Sequence, residues 1–491
     1  MRGIVVGFDG RPDSRQFARD AACVFAALGI RVFITSNVAA TPIVAFGTVH
    51  RKAAAGVVIT ASHNPPEYNG YKVYWDNGAQ IIPPHDAGIA AAIELAAEEE
   101  IPWLEFDEAQ AAGLVEVLGE AFDRAYLDAI LCDQLFMPGG ANASISIAYT
   151  AMHGVGAVPA ETLLGEAGFD KVYSVPAQRE PDGRFPTVNF PNPEEPGAMD
   201  MVIALAREKD ANLACANDPD ADRLAVAVRT GEGDYQMLTG DMIGVLLGSY
   251  LLEKSHPYTP IVCTTIVSSG MLRTIAAAAG ADYYETLTGF KWLVNTALGH
   301  EDRHHRLLFA YEEALGYAAG RQVLDKDGLS ALLAFAQMTE QLAREGKTVL
   351  DQLERLYRRH GLFVTAQRSL VLQAGARPIG DLLRGEPPEE IAGSPVAVVE
   401  DLGSGLRRYA GGDTEPLNFP PSDVLIYRLD NGARIIVRPS GTEPKVKCYY
   451  ELQETVAREE DFADVRERAE SALLSLVEAH QASLARLLSA A

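Results

Sequence analysis

The chain has 491 residues, 48% of them hydrophobic, which predicts three or four domains that each bury a sizeable core. The net charge of −25 argues against nucleic acids and anionic membranes as partners. The five cysteines form no Cys-x-x-Cys pair, so neither a metal knuckle nor a disulfide framework is predicted. No apolar stretch is long enough to cross a membrane and no signal peptide is evident, and we therefore expect a cytoplasmic protein.

Short apolar strands alternate with amphipathic helices over most of the chain. The first strand, Ile4–Phe8, is followed by a helix over Gln16–Gly29, and a helix over Thr41–Gly56 leads into a further strand. The pattern restarts near Ala143 and again near Ile261. This alternation predicts βαβ units with mostly parallel sheets.

The last part of the chain has a different pattern. From Phe363 onwards strand-like sequence dominates, notably Asp423–Val437, and a long Ala/Glu/Leu-rich helix is predicted over Asp461–Leu488. We therefore predict three α/β domains followed by a C-terminal α+β domain. The predicted domains span residues 1–138, 139–257, 258–362 and 363–491.

The first polar cluster follows the strand Gly56–Ile59 and reads Thr60-Ala61-Ser62-His63-Asn64-Pro65. A strand that ends in such a cluster predicts a tight turn, and Pro65 prevents the chain from continuing as strand or helix. The hydroxyl of Ser62 at this corner is either a nucleophile or a cap of the turn. Taken alone, these residues favour the cap, because Ser and Asn commonly hydrogen-bond their own turn.

A second cluster, Asn217-Asp218-Pro219-Asp220-Ala221-Asp222-Arg223, also follows a predicted strand. Carboxylates at alternate positions can converge on one divalent cation, and oxygen-only ligands favour Mg²⁺. A calcium EF-hand loop does not fit, because Arg223 and Arg229 stand where that loop requires Gly and Glu. A solvated acidic turn is the alternative, but the place of the cluster after a strand favours a site.

Two more clusters carry polar groups around a glycine. Glu312 and Glu313 follow a predicted strand, and paired carboxylates there either hold neighbouring sugar hydroxyls or form a polar turn. The stretch Arg438-Pro439-Ser440-Gly441-Thr442 combines an arginine, hydroxyls and backbone N–H groups at a glycine turn. Because these groups can converge, the stretch predicts a phosphate-binding loop.

The four clusters occur in the order seen in the α-D-phosphohexomutase family, each in a separate predicted domain as in that family. The chain resembles the phosphoglucomutase/phosphopentomutase branch in four further stretches. These are Pro66–Lys72, Tyr149–Gly156, Glu285–Trp292 and Asp325–Gly328. The resemblance covers nearly the whole chain. It implies three similar α/β domains with mixed, mostly parallel sheets, plus a C-terminal α+β domain, around a central cleft.

The resemblance also implies a catalytic role for several residues. Ser62 would be a phosphoserine that donates its phosphoryl group to a sugar monophosphate and takes the other phosphate back from the resulting bisphosphate. Lys72 would be a general acid/base, which requires surroundings that lower its pKa, with His63 and Arg223 beside the reacting group. The implied ligands of one Mg²⁺, which would neutralise charge on that group, are the phosphoserine at Ser62, Asp218, Asp220 and Asp222.

Substrate binding is implied for the remaining clusters, with Glu313 on the sugar hydroxyls and the Arg438 loop on the non-reacting phosphate. The implied substrate-binding residues are Thr288, Gly289, Lys291, Glu312, Glu313, Arg438, Ser440, Gly441, Thr442 and Lys447. Some family members have a histidine base where Tyr317 stands, and Lys326 is the candidate that replaces it here. A sugar bisphosphate is the implied activator.

One departure from the family lies at the N-terminus. Family members begin with a strand that ends in Gly-Thr-Ala-Gly-Leu-Arg, and no such stretch precedes the Asp9-Gly10-Arg11 turn. A misplaced start, a chain that is a fragment and a trimmed first domain are the open explanations. We expect the chain as given to be less stable and slower than one extended at its N-terminus. If it is fully active without such an extension, Arg11 or Arg15 is the first candidate for the charge that replaces the arginine of the missing turn.

The resemblance leads us to expect a cytoplasmic, Mg²⁺-dependent mutase that interconverts glucose 1-phosphate and glucose 6-phosphate. The same chemistry on a pentose or mannose phosphate is the nearest alternative. A phosphatase and a catalytically impaired sugar-phosphate-binding protein are alternatives of other classes. Both a monomer and a dimer are compatible with the sequence.

Overall fold

The computed structural model describes residues 2–137, 143–231, 233–372, 377–439 and 445–490. The chain divides into two compact units, the first comprising Met1–Thr265 and Ile275–Gln352, the second Ile266–Thr274 and Leu353–Ala491. The first unit contains three α/β sheets and the second contains one antiparallel sheet. None of the helices in the described ranges is both long and apolar enough to span a membrane.

The first sheet has five strands in the order β4-β3-β1-β2-β5, and β4 is its antiparallel member. The elements of this part of the chain are β1 (Ile4–Phe8), α1 (Ser14–Ala27), β2 (Val32–Thr35), α2 (Thr41–His50), β3 (Ala55–Ile59), β4 (Tyr71–Trp75), α3 (His85–Ala96), α4 (Phe106–Ala111), β5 (Val115–Leu118) and α5 (Glu120–Leu131).

The central strand β1 is buried along its whole length. Ile4, Val6 and Phe8 join the core formed with α1, whereas Val44 of α2 faces the position of Gly7 on the opposite side. β1 is paired on both sides, with β2 and β3, so no unpaired neighbour of the kind expected from a missing strand lies beside it. The lower stability expected from the missing N-terminal strand stays a prediction.

The second sheet also has five strands, in the order β10-β9-β8-β6-β7, of which β8, β6 and β7 are parallel. Its elements are β6 (Ile147–Thr150), α6 (Ala157–Glu166), β7 (Val172–Ser174), a short 3-10 helix (Pro176–Gln178), α7 (Asp200–Lys209), β8 (Leu213–Ala216), β9 (Ala225–Arg229), β10 (Tyr235–Met237) and α8 (Gly240–Leu252). The aspartate cluster forms the loop that joins β8 to β9.

The third sheet has four strands in the order β12-β11-β13-β14, with β14 antiparallel to β13. Its elements are β11 (Thr259–Thr265), α9 (Met271–Ala279), β12 (Asp282–Thr286), α10 (Phe290–His300), β13 (His305–Glu312), β14 (Gly316–Ala319), α11 (Gly328–Arg344) and α12 (Val349–His360). Glu312 and Glu313 lie at the turn between β13 and β14.

The second unit is built on an eight-stranded antiparallel sheet, on which α14 packs against β15 and β22. The strand order is β15-β22-β21-β20-β17-β18-β19, and β16 pairs with β17. Its elements are β15 (Leu362–Val371), α13 (Ile379–Gly385), β16 (Glu390–Ile391), β17 (Ser394–Asp401), β18 (Leu406–Tyr409), β19 (Thr414–Pro416), β20 (Leu425–Leu429), β21 (Arg434–Pro439), β22 (Lys445–Glu454) and α14 (Phe462–Ala490).

The mixed, mostly parallel sheets and the C-terminal α+β part confirm the predicted fold class, while the exact domain boundaries stay predictions. One predicted element is wrong in extent. The helix predicted over Thr41–Gly56 ends at His50, because Lys52 takes a left-handed conformation and turns the chain into β3. The strand-like stretch Asp423–Val437 forms the two strands β20 and β21 of a hairpin, with Asn431-Gly432 in its turn. The five cysteines are free, as predicted.

A buried histidine in the second unit makes its stability depend on pH. His480 on α14 is 3% exposed, and its Nδ1 lies 2.8 Å from the hydroxyl of Tyr450 on β22. Burial lowers the pKa of His480 to about 4. Because an unfolded histidine has a pKa of about 6.5, the unfolded chain binds more protons between these values. The contribution of the neutral His480 to the free energy of unfolding is therefore complete above about pH 6.5 and is lost as the pH falls towards 4.

We expect the wild-type chain to lose about 2 kcal/mol of unfolding free energy between pH 7 and pH 5 through this group alone. His480→Gln should not show this loss. The difference in unfolding free energy between the wild type and the variant should therefore be smaller at pH 5 than at pH 7. Urea unfolding followed by circular dichroism measures it, with the exposed His304→Gln as the matched control. An equal difference in unfolding free energy at both pH values would contradict the prediction.

Candidate active site

Ser62 stands at a sharp corner after β3, where its backbone has a left-handed conformation with φ of 51°. The Ser62 N–H donates to Oγ1 of Thr60 at 2.8 Å, so Thr60 and not Ser62 caps the turn. The Ser62 hydroxyl donates instead to Oδ2 of Asp218 at 2.8 Å, and Nδ1 of His63 lies 3.3 Å from it. The geometry therefore favours Ser62 as a nucleophile over Ser62 as a cap of the turn.

The three aspartates of the second cluster are fully buried, and one oxygen of each lies within 4.8 Å of the others. Oδ2 of Asp220 accepts hydrogen bonds from Thr41 at 2.6 Å and from Lys72 at 2.6 Å. Oδ1 of Asp220 and Oδ1 of Asp222 are buried without a hydrogen-bond partner among the described residues. Unpaired buried carboxylate oxygens are rare, and oxygen ligands of this kind suit Mg²⁺. The residues therefore fit a divalent cation.

Burial and mutual repulsion act on the aspartates unequally. Burial raises the pKa of Asp218 well above its usual value, and the nearby charges of Asp220 and Asp222 raise it further. Burial alone would also raise the pKa of Asp222, but Lys326, Lys72 and Arg223 hold it below its usual value. Asp222 is thus the carboxylate that the surrounding cations keep ionised.

Lys72 projects from β4, in register with Val58 of β3. Its Nζ donates to Oδ2 of Asp220 at 2.6 Å and to Oδ2 of Asp222 at 2.7 Å. Burial lowers the pKa of Lys72, but the charges of Asp220 and Asp222 outweigh it and raise the pKa above its ordinary value. The expectation that the surroundings of Lys72 lower its pKa is therefore wrong, because this structure brings two carboxylates into contact with its ammonium group.

Two further cations border the aspartate cluster. Nζ of Lys326 lies 3.1 Å from Oδ2 of Asp222, and Nε of Arg223 lies 3.9 Å from Oδ2 of Asp218. A Cβ at Gly316 would lie 2.3 Å from Cδ of Lys326, so only glycine leaves room for this lysine. The hydroxyl of the buried Tyr317 donates to the carbonyl of Gly240 at 3.3 Å, which agrees with its exclusion as a base.

The predicted sugar-binding residues are only partly assembled around this centre. Oε1 of Glu312 accepts from the N–H of Gly289 at 2.6 Å, and burial raises the pKa of Glu312. Glu313 accepts from the Thr265 hydroxyl at 3.2 Å. Lys291 instead lies 3.6 Å from a carboxylate oxygen of Asp86, and the partly buried Thr288 stands next to Gly289.

The predicted phosphate loop belongs to the second unit. Arg438 on β21 is in register with Lys447 on β22, so both residues stand at the same level of the sheet. Ser440, Gly441 and Thr442 lie outside the described residues. Phosphate binding by this loop therefore stays a prediction.

Several residues of the site were missed by sequence reasoning. Thr41 begins α2 and was visible as a helix start, but its contact with Asp220 joins residues far apart in the chain. Asp325 accepts from Tyr74 at 2.6 Å and from Gln80 at 2.7 Å, and it stands beside Lys326. Only its occurrence in the Asp325–Gly328 stretch could have pointed to it.

Arg11 and Arg15 are the candidates to replace the arginine of the missing turn. Arg15 lies over the ring of Phe8 at 5.2 Å, and the guanidinium of Arg11 donates to backbone carbonyls of the loop that contains Ser62. Arg11 thus contacts Ser62 through its backbone carbonyl, and replacement of the missing arginine by Arg11 or Arg15 stays a prediction.

The chain matches four sequence families in succession. Residues 1–100, 124–231 and 239–360 match "Phosphoglucomutase/phosphomannomutase, alpha/beta/alpha domain" I, II and III. Residues 390–469 match the C-terminal domain of the same series. The chain belongs to the α-D-phosphohexomutase family. Members are phosphosugar mutases, which are Mg²⁺-dependent intramolecular phosphotransferases, and this phosphohexomutase is an enzyme of that class.

Relatives of this phosphohexomutase carry the names of different sugars. A Haemophilus influenzae protein named "Probable phosphomannomutase" is 39% identical, over 92% of this chain and 88% of that protein. The human phosphopentomutase is 36% identical, over 92% of this chain and 78% of that protein. The solved structure of pp63/parafusin, a phosphoglucomutase from Paramecium, has a TM-score of 0.71 at 18% identity, covering 100% of this chain and 89% of that one. This last likeness shows the fold.

Two tyrosines on β4 allow a matched test of the contact with Asp325. Tyr74 is fully buried and donates to Asp325, whereas Tyr71 is 55% exposed. Tyr74→Phe should lower the unfolding free energy by about 1–3 kcal/mol, because it removes one of the two hydrogen bonds that the buried Oδ2 of Asp325 accepts. Tyr71→Phe should change it by less than about 0.5 kcal/mol. Urea unfolding of both variants checks this, and equal effects would contradict the role of the contact.

Proposed function

We propose that this phosphohexomutase interconverts glucose 1-phosphate and glucose 6-phosphate through a phosphoserine at Ser62. The observation that carries the proposal is the hydrogen bond from the Ser62 hydroxyl to Asp218 of the buried aspartate cluster, 2.8 Å long. It joins a candidate nucleophile to a candidate metal site, which is the combination that phosphoryl transfer needs. A phosphatase would use water in place of the sugar hydroxyl, and it would release free phosphate instead of an isomer.

Asp218, Asp220 and Asp222 would hold one Mg²⁺ together with the phosphorylated Ser62. When bound, the cation would neutralise negative charge on the phosphoryl group. The unpaired Oδ1 atoms of Asp220 and Asp222 support this assignment. The buried Nε of Arg223 is also unpaired among the described residues, and it would donate to an oxygen of the same phosphoryl group.

The two lysines are placed for the proton transfers that accompany phosphoryl transfer. Lys72 would serve the hydroxyl that receives or releases the phosphoryl group, and Lys326 would be the second acid/base for the opposite orientation of the bisphosphate. Both ammonium groups contact Asp222, so one carboxylate orients both. Nδ1 of His63 would interact with the Ser62 hydroxyl.

Substrate would bind between these groups and the loops of the third sheet. Glu312, oriented by the Gly289 N–H, and Glu313 would accept sugar hydroxyls, with Thr288 and Lys291 beside them. Arg438, Ser440, Gly441, Thr442 and Lys447 would bind the non-reacting phosphate. Because Ser62 must be phosphorylated before the first turnover, a sugar bisphosphate is the proposed activator.

A pentose phosphate is the second candidate substrate. The specific observation in its favour is the 36% identity to the human phosphopentomutase over 92% of this chain. The glucose assignment rests on the Glu312–Glu313 pair, which resembles the glucose-type loop. A kinetic panel decides between the sugars.

We expect glucose 1-phosphate to be used about tenfold or more better than mannose 1-phosphate in kcat/KM. A buried contact with an equatorial 2-hydroxyl is worth about 1–3 kcal/mol, and an axial hydroxyl would lose it. A coupled assay with glucose, mannose and ribose 1-phosphates measures the preference and also follows free phosphate. Faster use of ribose 1-phosphate would make the chain a phosphopentomutase.

The control for this panel is Ser62→Ala, which should abolish mutase activity while the circular dichroism spectrum and Tm stay unchanged. Intact mass should show one phosphoryl group on active wild-type protein and none on the variant. Activity retained in Ser62→Ala would overturn the phosphoserine mechanism, and release of free phosphate without isomer would indicate a phosphatase.

Mg²⁺ should stabilise the chain independently of turnover. Saturation at about 100 times Kd is worth about 2.7 kcal/mol, which is a rise of a few degrees in Tm. Asp220→Asn should reduce this rise and should leave the metal-free Tm equal or higher, because it removes repulsion among buried carboxylates. Differential scanning calorimetry of EDTA-treated protein, with and without MgCl₂, measures both effects.

The matched control for the metal test is Asp234→Asn, which removes an exposed carboxylate that pairs with Arg207 and is not part of the cluster. It should keep the full response to Mg²⁺. If Asp220→Asn responds to Mg²⁺ as the wild type does, the aspartate cluster does not hold the metal.

A further inference from the structure

One buried side chain holds the whole loop that follows Ser62. Nη1 of Arg11 donates to the carbonyls of Pro65 at 2.7 Å and Tyr68 at 3.1 Å. Nη2 donates to the carbonyls of Ser62 at 2.7 Å and Asn64 at 2.6 Å. Nε donates to Asp9 at 3.1 Å, so each of the five N–H groups of the guanidinium has a partner. The Arg11 side chain is only 1% exposed.

Asp9 ties this arginine to the corner at Ser62. Its carboxylate also accepts from the hydroxyls of Ser14 at 2.6 Å and Thr60 at 2.8 Å. The Thr60 hydroxyl in turn accepts from the N–H of Ser62. One buried network therefore reaches Ser62 both through its N–H and through its carbonyl.

A segment between β7 and α7 covers the guanidinium. The ring of Phe185 lies 5.2 Å from Cζ of Arg11, and Phe185 is itself 2% exposed. A Cβ at Gly183 would lie 2.4 Å from Cα of Arg11, so this segment approaches the arginine closely. With solvent excluded, the hydrogen bonds to the carbonyls act in a medium of low dielectric constant, where they are strong.

Besides these contacts, the loop has backbone hydrogen bonds of its own, from Asn64 to Ala61 and from Tyr68 to Pro65, and the Asn69 amide donates to Ser14. Residues 61–70 contain no helix or strand, and carbonyls of four of them converge on one planar group. Such convergence requires the chain to curl around the guanidinium in one way. The direction of the Ser62 hydroxyl follows from that curl, because the left-handed backbone of Ser62 is part of it.

We propose that Arg11 is a positioning residue that directs the Ser62 hydroxyl, and the phosphoryl group it would carry, towards the aspartate cluster. The inference rests on the proposed phosphoserine mechanism. It assigns Arg11 no contact with substrate, because a phosphate could bind this guanidinium only by displacing one of its carbonyl partners. A lysine would keep the charge beside Asp9 but has no planar fork with which to reach four carbonyls.

Arg11→Lys tests the proposal in the full-length enzyme. We expect kcat for glucose 1-phosphate to fall about 100-fold, because a misplacement of about 1 Å has this effect, while KM changes less than about twofold. Arg19→Lys is the matched control, since Arg19 is an exposed arginine of α1, the helix that follows Arg11, and lies over Phe106. It should keep both constants. Wild-type kcat in Arg11→Lys would overturn the inference, as would a rise in KM with kcat unchanged.

Two additional measurements separate positioning from loss of folding. Phe185→Leu keeps every hydrogen bond of Arg11 and should lower kcat several-fold, at unchanged KM, with a normal circular dichroism spectrum. Guanidinium ion at millimolar concentration should partly restore kcat in Arg11→Ala, whereas ethylammonium should not. Equal rescue by both ions would overturn the inference. A wild-type enzyme without mutase activity would instead overturn the proposed function and the inference with it.

Discussion

Three carboxylates buried side by side are the constraint on which this structure depends. The ligand oxygens of Asp218, Asp220 and Asp222 lie within 4.8 Å of one another in a fully buried loop. At an effective dielectric constant of about 20, each pair of such charges repels by at least about 3 kcal/mol. On the same scale, each contact of Lys72 or Lys326 with these carboxylates attracts by about 5–6 kcal/mol. The loop can be buried because these lysines are brought to it.

The lysines come from different parts of the first unit, Lys72 from β4 and Lys326 from the segment before α11, so the aspartate loop joins its three sheets. The hydrogen bonds of Asp220 and Asp222 fall on only one oxygen of each carboxylate. Asp220 and Asp222 use Oδ2 for the lysines, whereas their Oδ1 atoms are buried and unpaired among the described residues. The network therefore compensates the repulsion without using up the oxygens that a metal ion would need. A structural salt-bridge cluster would be expected to satisfy both oxygens.

The sequence predicts the positions of these groups better than it predicts their electrostatics. Ser62 and the aspartates could be placed because polar clusters after apolar strands fall at the same edge of a sheet. The raised pKa of Lys72 could not be predicted, because it depends on distances to carboxylates more than a hundred residues away. The contact of Thr41 with Asp220 is hidden for the same reason. The end of the helix at His50 was missed because a single turn residue, Lys52, decides it.

The aspartate loop and the Ser62 loop are held by different physical means. The aspartates are held by attraction to the lysines, so replacement of one charged side chain would change the balance between attraction and repulsion. The Ser62 loop is held by its own backbone, because Arg11 binds carbonyl groups that every residue type possesses. Asn69 adds a side-chain contact with the Ser14 hydroxyl, whereas His63 lies beside the Ser62 hydroxyl, where it can be used for chemistry. The rigid corner then meets the charge-dependent loop at one hydrogen bond, from Ser62 to Asp218. A cation bound there would alter the charges while the nucleophile kept its position.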